Sequence, residues 1–128
     1  MWGTGAPSYR LVIEDRPGYL YASVSAEQDG FELEMRAVTE LAAVCRARGA
    51  SKLLVEHSIP TRLSTLEVYT IAVQLPKLYQ GIVVAFVIHQ AQVPEDPEFL
   101  EVVARNRGGK GQLFASAREA EHWLLSLG

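Results

Sequence analysis

Residues 81–89 read GIVVAFVIH, and residues 52–57 read KLLVEH. Both stretches are apolar over most of their length, and Ile82–Ile88 contains no polar residue. A short continuous apolar run bounded by turn residues predicts a strand that is buried on both faces. Such strands are typical of the interior of a parallel sheet, so these two stretches predict an α/β fold in which helices cover the sheet.

The segment before these strands has a different pattern. Residues 9–15 (YRLVIED) and 19–25 (YLYASVS) alternate between two sets of side chains, which predicts two strands. The intervening Arg16-Pro17-Gly18 is a turn signal, because proline and glycine each favour the backbone angles of a tight turn. The sequence therefore predicts an antiparallel hairpin at one edge of the sheet.

Four further segments carry apolar residues at spacings of three and four, which predicts four amphipathic helices. Three of them begin at pairs related to the capping box, and the fourth begins at Asp96-Pro97. The three pairs are Asp29 with Glu32, Ser64 with Glu67, and Ser116 with Glu119. With a short last strand at Gln112–Ser116, the predicted order is β-β-α-β-α-β-α-β-α. Right-handed crossovers then make the later strands parallel.

Length and composition restrict the class of protein. The chain has 128 residues, a length typical of one domain, and we predict a loose segment at 1–8 followed by a single domain at 9–128. A net charge of −3 argues against a nucleic-acid partner. The single cysteine, Cys45, excludes an intramolecular disulfide and a cysteine metal cluster. We find no transmembrane segment or signal peptide in the sequence, which predicts a cytoplasmic protein.

The predicted order and three stretches resemble the SpoIIAA-like family, a branch of the STAS (sulfate transporter and anti-sigma antagonist) fold. The stretches are YRLVIEDRPGYLYASVS at 9–25, ARNRGGKGQLFAS at 104–116 and AREAEHWLLSLG at 117–128. The resemblance implies a non-catalytic domain that needs no cofactor. It also implies a regulatory partner, either a kinase or another protein, and a phosphorylated serine at the start of the helix after the third strand. Related proteins are discussed as binders of small or lipid-like ligands.

The junction after the third strand departs from the family pattern. It reads EHSIPTRLSTLE at 56–67, where anti-sigma antagonists have aspartate-serine-serine/threonine-glycine. Ser64, or the neighbouring Thr65, occupies the comparable place and is the candidate for phosphorylation. Free amides and the helix dipole favour a phosphate at such a position, but an ordinary helix cap is the simpler explanation of Ser64.

Two histidines end predicted neighbouring strands. His57 and His89 would lie at the carboxyl edge of the sheet, where open α/β sheets bind ligands. Together with Ser58 and Ser64 they form the candidate ligand site. A weak metal site is one alternative, and two locally hydrogen-bonded residues on opposite faces are another. We find no Ser-His-Asp or Cys-His arrangement in the sequence.

The favoured hypothesis is a non-catalytic STAS-like module that recognises a protein partner or a small apolar or anionic ligand. One alternative is a small-ligand or metal-dependent enzyme using His57 and His89, and another is a phospho-switch at Ser64. The sequence does not decide whether the protein forms a homodimer. In such a dimer, the hairpin edge would pair, or Tyr19 and Tyr21 would pack against the second copy.

Overall fold

The computed structural model describes residues 8–28, 30–60, 63–89 and 110–127. The described ranges contain five strands and three helices. In chain order they are β1 (Arg10–Arg16), β2 (Tyr19–Ser25), α1 (Phe31–Arg48), β3 (Lys52–Ser58), α2 (Thr65–Leu78), β4 (Val83–Ile88), β5 (Gly111–Phe114) and α3 (Ala117–Ser126). The helix predicted to begin at Asp96-Pro97 lies outside the described residues.

The five strands form one sheet in the order β1-β2-β3-β4-β5. β1 pairs antiparallel with β2, whereas β2, β3, β4 and β5 are parallel to one another. The central register places Leu53 of β3 between Leu20 of β2 and Val84 of β4. This arrangement confirms the predicted mixed sheet with an antiparallel hairpin at one edge.

Both faces of the sheet are covered. On one face, which we call the α1–α2 face, alternate residues of β2, β3 and β4 pack with α1 and the end of α2. These strand residues are Leu20, Ala22, Val24, Leu53, Val55 and Val84. On the opposite α3 face, the intervening strand residues pack under Ala120 and Leu124 of α3. They are Tyr19, Tyr21, Leu54, Ala85 and Val87. The two apolar stretches that predicted the fold are therefore interior, as expected.

The burial of β2 is greater than its alternating sequence indicates. Tyr19 and Tyr21 lie opposite the apolar set of Leu20, Ala22 and Val24, and both tyrosines are buried as well. The reason is the position of β2, which is second in the sheet and lies partly under α3. β1 forms the edge on this side of the sheet, and its residues alternate between partly buried and exposed over most of the strand.

Several helix boundaries match the sequence signals, and one does not. The N-cap of α1 is Gly30, because the amide of Glu34 bonds to the Gly30 carbonyl at 3.0 Å, so the prediction of Asp29 as the cap was wrong. Gly49 ends α1 in the left-handed conformation at φ 65°. Pro76 lies inside α2, which ends two residues later at Leu78.

Cys45 of α1 is fully buried, whereas Leu127, which follows the end of α3, is 40% exposed. Among the helices of the described ranges, none combines the length and apolar character needed to cross a bilayer.

Candidate functional site

The carboxyl ends of the parallel strands converge on one edge of the sheet. α1, α2 and α3 each follow a parallel strand after a short connection, so each helix begins at this edge. His57 and Ser58 end β3, His89 follows β4, and Ser64 precedes α2. The fold therefore brings the predicted ligand-site residues to the edge at which α/β sheets bind ligands.

His57 lies on the α1–α2 face and contacts the first turn of α1. Its Nε2 is 3.0 Å from Oε1 and 3.1 Å from Oε2 of Glu34. The side chains are 14% and 8% exposed, so both partners of this pair are largely removed from water. The other ring nitrogen, Nδ1, is buried and has no hydrogen-bond partner among the described residues. The pair therefore joins the end of β3 to the start of α1.

Glu34 was not singled out by sequence reasoning. It lies between the buried Leu33 and Ala37, inside the buried stripe of α1, and is itself 6% exposed. A carboxylate in an apolar stripe is the signal that could have predicted a buried partner, because burying a charge is costly unless it is paired.

His89 points to the α3 face. Its Nε2 lies 2.5 Å from Oε2 of Glu56, and the other carboxylate oxygen of Glu56 accepts a hydrogen bond from the Tyr21 hydroxyl. The His89 side chain is 40% exposed, so this group lies at the border between the sheet and solvent. The Glu56 carboxylate near the end of β3 thus connects the middle of β2 with the residue that follows β4.

The two imidazoles are held by different carboxylates on opposite faces of the sheet. The backbone amide of His89 donates to the His57 carbonyl at 3.2 Å, so the backbones of the two residues lie side by side at the ends of β3 and β4. His57 is opposite Ile88 in the register, which places His89 one position further and on the other face. No group of three His, Cys, Asp or Glu side chains within the described ranges could hold a metal ion.

The tyrosines of the α3 face shift the protonation equilibria around them. Burial and the nearby Glu56 carboxylate raise the pKa of Tyr21 to about 12. The Tyr21 hydrogen bond is the largest contribution to lowering the pKa of Glu56. The guanidinium of Arg16 lies 3.7 Å from the centre of the Tyr21 ring, a cation–π contact. Tyr19 donates a similar hydrogen bond to Glu121 of α3.

The start of α2 is the exposed part of this edge. Ser64 forms the predicted capping box: its hydroxyl accepts from the Glu67 amide, and the Glu67 carboxylate accepts from the Ser64 amide. Thr65 is exposed, and Leu66 and Tyr69 are 73% and 37% exposed. Residues three positions apart lie on the same side of a helix, so Leu66 and Tyr69 form a small apolar surface.

Comparisons with known proteins identify the fold. No family model and no curated protein matches the sequence. Among solved structures, the chain is similar to an anti-sigma factor antagonist from Mycobacterium paratuberculosis. The similarity covers 95% of this chain and 99% of that one, with a TM-score of 0.61 and 18% sequence identity. The fold is therefore that of an anti-sigma factor antagonist, as the sequence resemblance implied.

We predict that His57→Phe lowers the free energy of unfolding by about 2–4 kcal/mol at neutral pH, because it leaves the buried Glu34 carboxylate without its imidazole. Urea denaturation measures the loss. The double variant with Glu34→Met should recover much of it. His89→Phe is the matched control and should cost less, since His89 is more exposed. Equal losses at the two histidines would contradict this account.

We predict that Tyr21→Phe flattens the dependence of stability on pH at both ends. The raised Tyr21 pKa means that its stabilisation is complete below pH 10 and is lost as the pH rises from 10 through about 12. The lowered Glu56 pKa means that its stabilisation is present above pH 4.5 and is lost as the pH falls through the folded-state value. Removing the hydroxyl should weaken both effects.

Urea denaturation of wild type and variant from pH 3 to pH 11.5 measures these slopes. Burial also raises the pKa of Tyr19, so the alkaline slope should decrease without disappearing. Tyr69→Phe, at an exposed position, is the control. Parallel curves for Tyr21→Phe and wild type would show that the Tyr21 hydroxyl does not control the protonation of Glu56.

Proposed function

We propose that this protein is a non-catalytic regulatory module that binds a protein partner at the carboxyl edge of its sheet. The observation that carries the proposal is the similarity, over nearly all of both chains, to a protein described as an anti-sigma factor antagonist. The one cysteine, Cys45, is buried and free, as is typical of proteins from reducing compartments, so we propose a cytoplasmic location as well.

The chemistry of the described residues supports binding in preference to catalysis. A nucleophile needs to be reachable and to lie within hydrogen-bond distance of a base. Cys45 is fully buried, and burial raises the pKa of its thiol. The Nε2 atoms of His57 and His89 each contact a carboxylate on a different face of the sheet, so the described residues do not place the two imidazoles around one substrate.

The start of α2 is the surface that we assign to the partner. Leu66 is the most exposed large apolar side chain in the described ranges, and Tyr69 adds an aromatic ring on the same side. Aromatic and aliphatic residues of this kind are typical anchors at protein interfaces. A small ligand that contacts both His57 and His89 would have to lie across the ends of β3 and β4, which makes it the second choice.

We predict that Leu66→Glu combined with Tyr69→Ala abolishes capture of the partner, because the charge and the lost ring remove the apolar surface. The measurement is affinity capture with the purified protein as bait, followed by mass spectrometry. Leu127→Glu places the same charge at an exposed leucine next to α3 and should leave capture unchanged. A partner retained by the α2 variant would exclude this surface. Native mass spectrometry of the bait would reveal a small ligand instead.

Phosphorylation of Ser64 is the regulation that we propose for this surface. The Ser64 hydroxyl is at an exposed helix start, next to Leu66. In the capping box, however, the Glu67 carboxylate contacts the Ser64 amide at 2.9 Å. A phosphate carries a charge of about −1.5 to −2, so it would repel this carboxylate and open the capping box. Phosphorylation would thereby change both the charge and the conformation beside the proposed partner surface.

We predict that protein carrying phosphoserine at position 64 captures the partner at least tenfold less well than protein carrying serine, a change of about 1.4 kcal/mol. Ser64→Asn, which preserves a helix cap without the phosphate charge, should bind as wild type does. Titration with the isolated partner gives the two affinities. Equal affinities for the phosphoserine and serine proteins would exclude the switch while leaving the binding function intact.

A further inference from the structure

The two edges of the sheet differ in their capacity to pair with another strand. β5 is only four residues long, and a short edge strand is a common protection against edge-to-edge association. β1 is seven residues long and contains no proline. Within the described ranges no strand pairs with its outer side. Its unpaired backbone amides and carbonyls therefore form a template for one more strand.

The side chains of β1 have an order that suits pairing with itself. Arg10, Val12 and Glu14 are exposed and lie on the α3 face, whereas Leu11 and Ile13 pack against the core on the α1–α2 face. Val12, at the centre of the exposed set, is 38% exposed. Reading the exposed residues in either direction gives a charge, valine and the opposite charge.

We propose that β1 pairs antiparallel with β1 of a second copy of this chain, about a two-fold axis that passes through Val12. In this register Arg10 is opposite Glu14 of the partner subunit, and the reverse pair forms on the other side of the axis. Val12 is opposite Val12 of the partner subunit, and Leu11 is opposite Ile13 of the partner subunit. The result is a continuous sheet of ten strands in the described parts of the two copies.

Charge complementarity selects this register over its neighbours. A two-fold axis perpendicular to the sheet keeps the α3 faces of the two copies on the same side. Alternative registers therefore differ by two residues, because a shift of one residue would exchange the two faces. One neighbouring register places Arg10 opposite Arg16 and Leu11 opposite Asp15, which sets like charges together and buries a carboxylate beside a leucine. The other places Arg10 opposite Val12. Only the register centred on Val12 pairs opposite charges on one face and apolar residues on the other.

The charged groups are available for these pairs. Arg10 is exposed, and its side chain makes no hydrogen bond or ion pair within the described ranges. Glu14 bonds to Arg16 of its own strand through Oε1, and a carboxylate accepts several hydrogen bonds, so Oε2 can accept from a second guanidinium. A contact between two single strands is smaller than a standard protein interface, so the dimer should be weak and should form with rising concentration.

Sedimentation velocity across a concentration series tests the proposal. Wild type should shift from monomer to dimer as the concentration rises. Arg10→Glu and Glu14→Arg each place like charges opposite one another twice per dimer, and each alone should weaken dimerisation about tenfold or more. An equal mixture of the two variants restores both pairs, because every glutamate then faces an arginine. This mixture should dimerise about as well as wild type.

Arg118→Glu, a charge reversal at an exposed position of α3, is the control and should dimerise as wild type does. Circular dichroism checks that each variant is folded. We expect the fold to be retained because all three substituted side chains are exposed. A wild type that stays monomeric at every concentration would overturn the proposal. A dimer that the single reversals leave intact, or a mixture that stays monomeric, would also overturn it.

Discussion

The burial of both faces of β3 and β4 is the constraint on which the structure depends. Leu53, Leu54 and Val55 are consecutive residues, and each is no more than 2% exposed. Since successive strand residues point to opposite faces, water is excluded from both sides only if helices cover both. Parallel strands also require a crossover between each pair, and the crossovers supply α1 and α2 for one face. α3, after the last strand, covers the other.

The same constraint explains how the sheet accommodates polar groups on its covered α3 face. The α3 face of β2 contains two tyrosines whose rings are buried and whose hydroxyls bond to carboxylates, Tyr19 to Glu121 and Tyr21 to Glu56. A tyrosine contributes apolar surface and one hydroxyl that needs a partner when it is buried. Glu56, near the carboxyl end of β3, provides this partner at the point where α3 no longer excludes water completely.

The hairpin turn and the capping box at Ser64 could be predicted from local signals, whereas the second buried face of β2 and the faces on which His57 and His89 lie depend on the three-dimensional arrangement. The hairpin turn requires a residue at positive φ, and Gly18 provides it at 89°, so the local sequence was sufficient to predict the turn. The capping box at Ser64 is equally local. In contrast, the buried second face of β2 follows from its place in the sheet. The separation of His57 and His89 onto opposite faces follows from the register, since a shift of one residue would have put both on one face. No pattern within a single segment specifies either property.

The charges at the carboxyl edge disfavour a free anion. A helix start attracts anions through its unpaired amides and its dipole, but each of the three described helices already has a carboxylate in its first turn. These are Glu34 in α1, Glu67 in α2 and Glu119 in α3. A free anion would therefore meet like charge at each of these three helix starts. A phosphate attached to Ser64 would differ, because its covalent link would keep it beside the α2 amides while it repelled Glu67. The proposed binding surface at Leu66 and Tyr69 is consistent with this distribution of charge, because it relies on exposed apolar contacts.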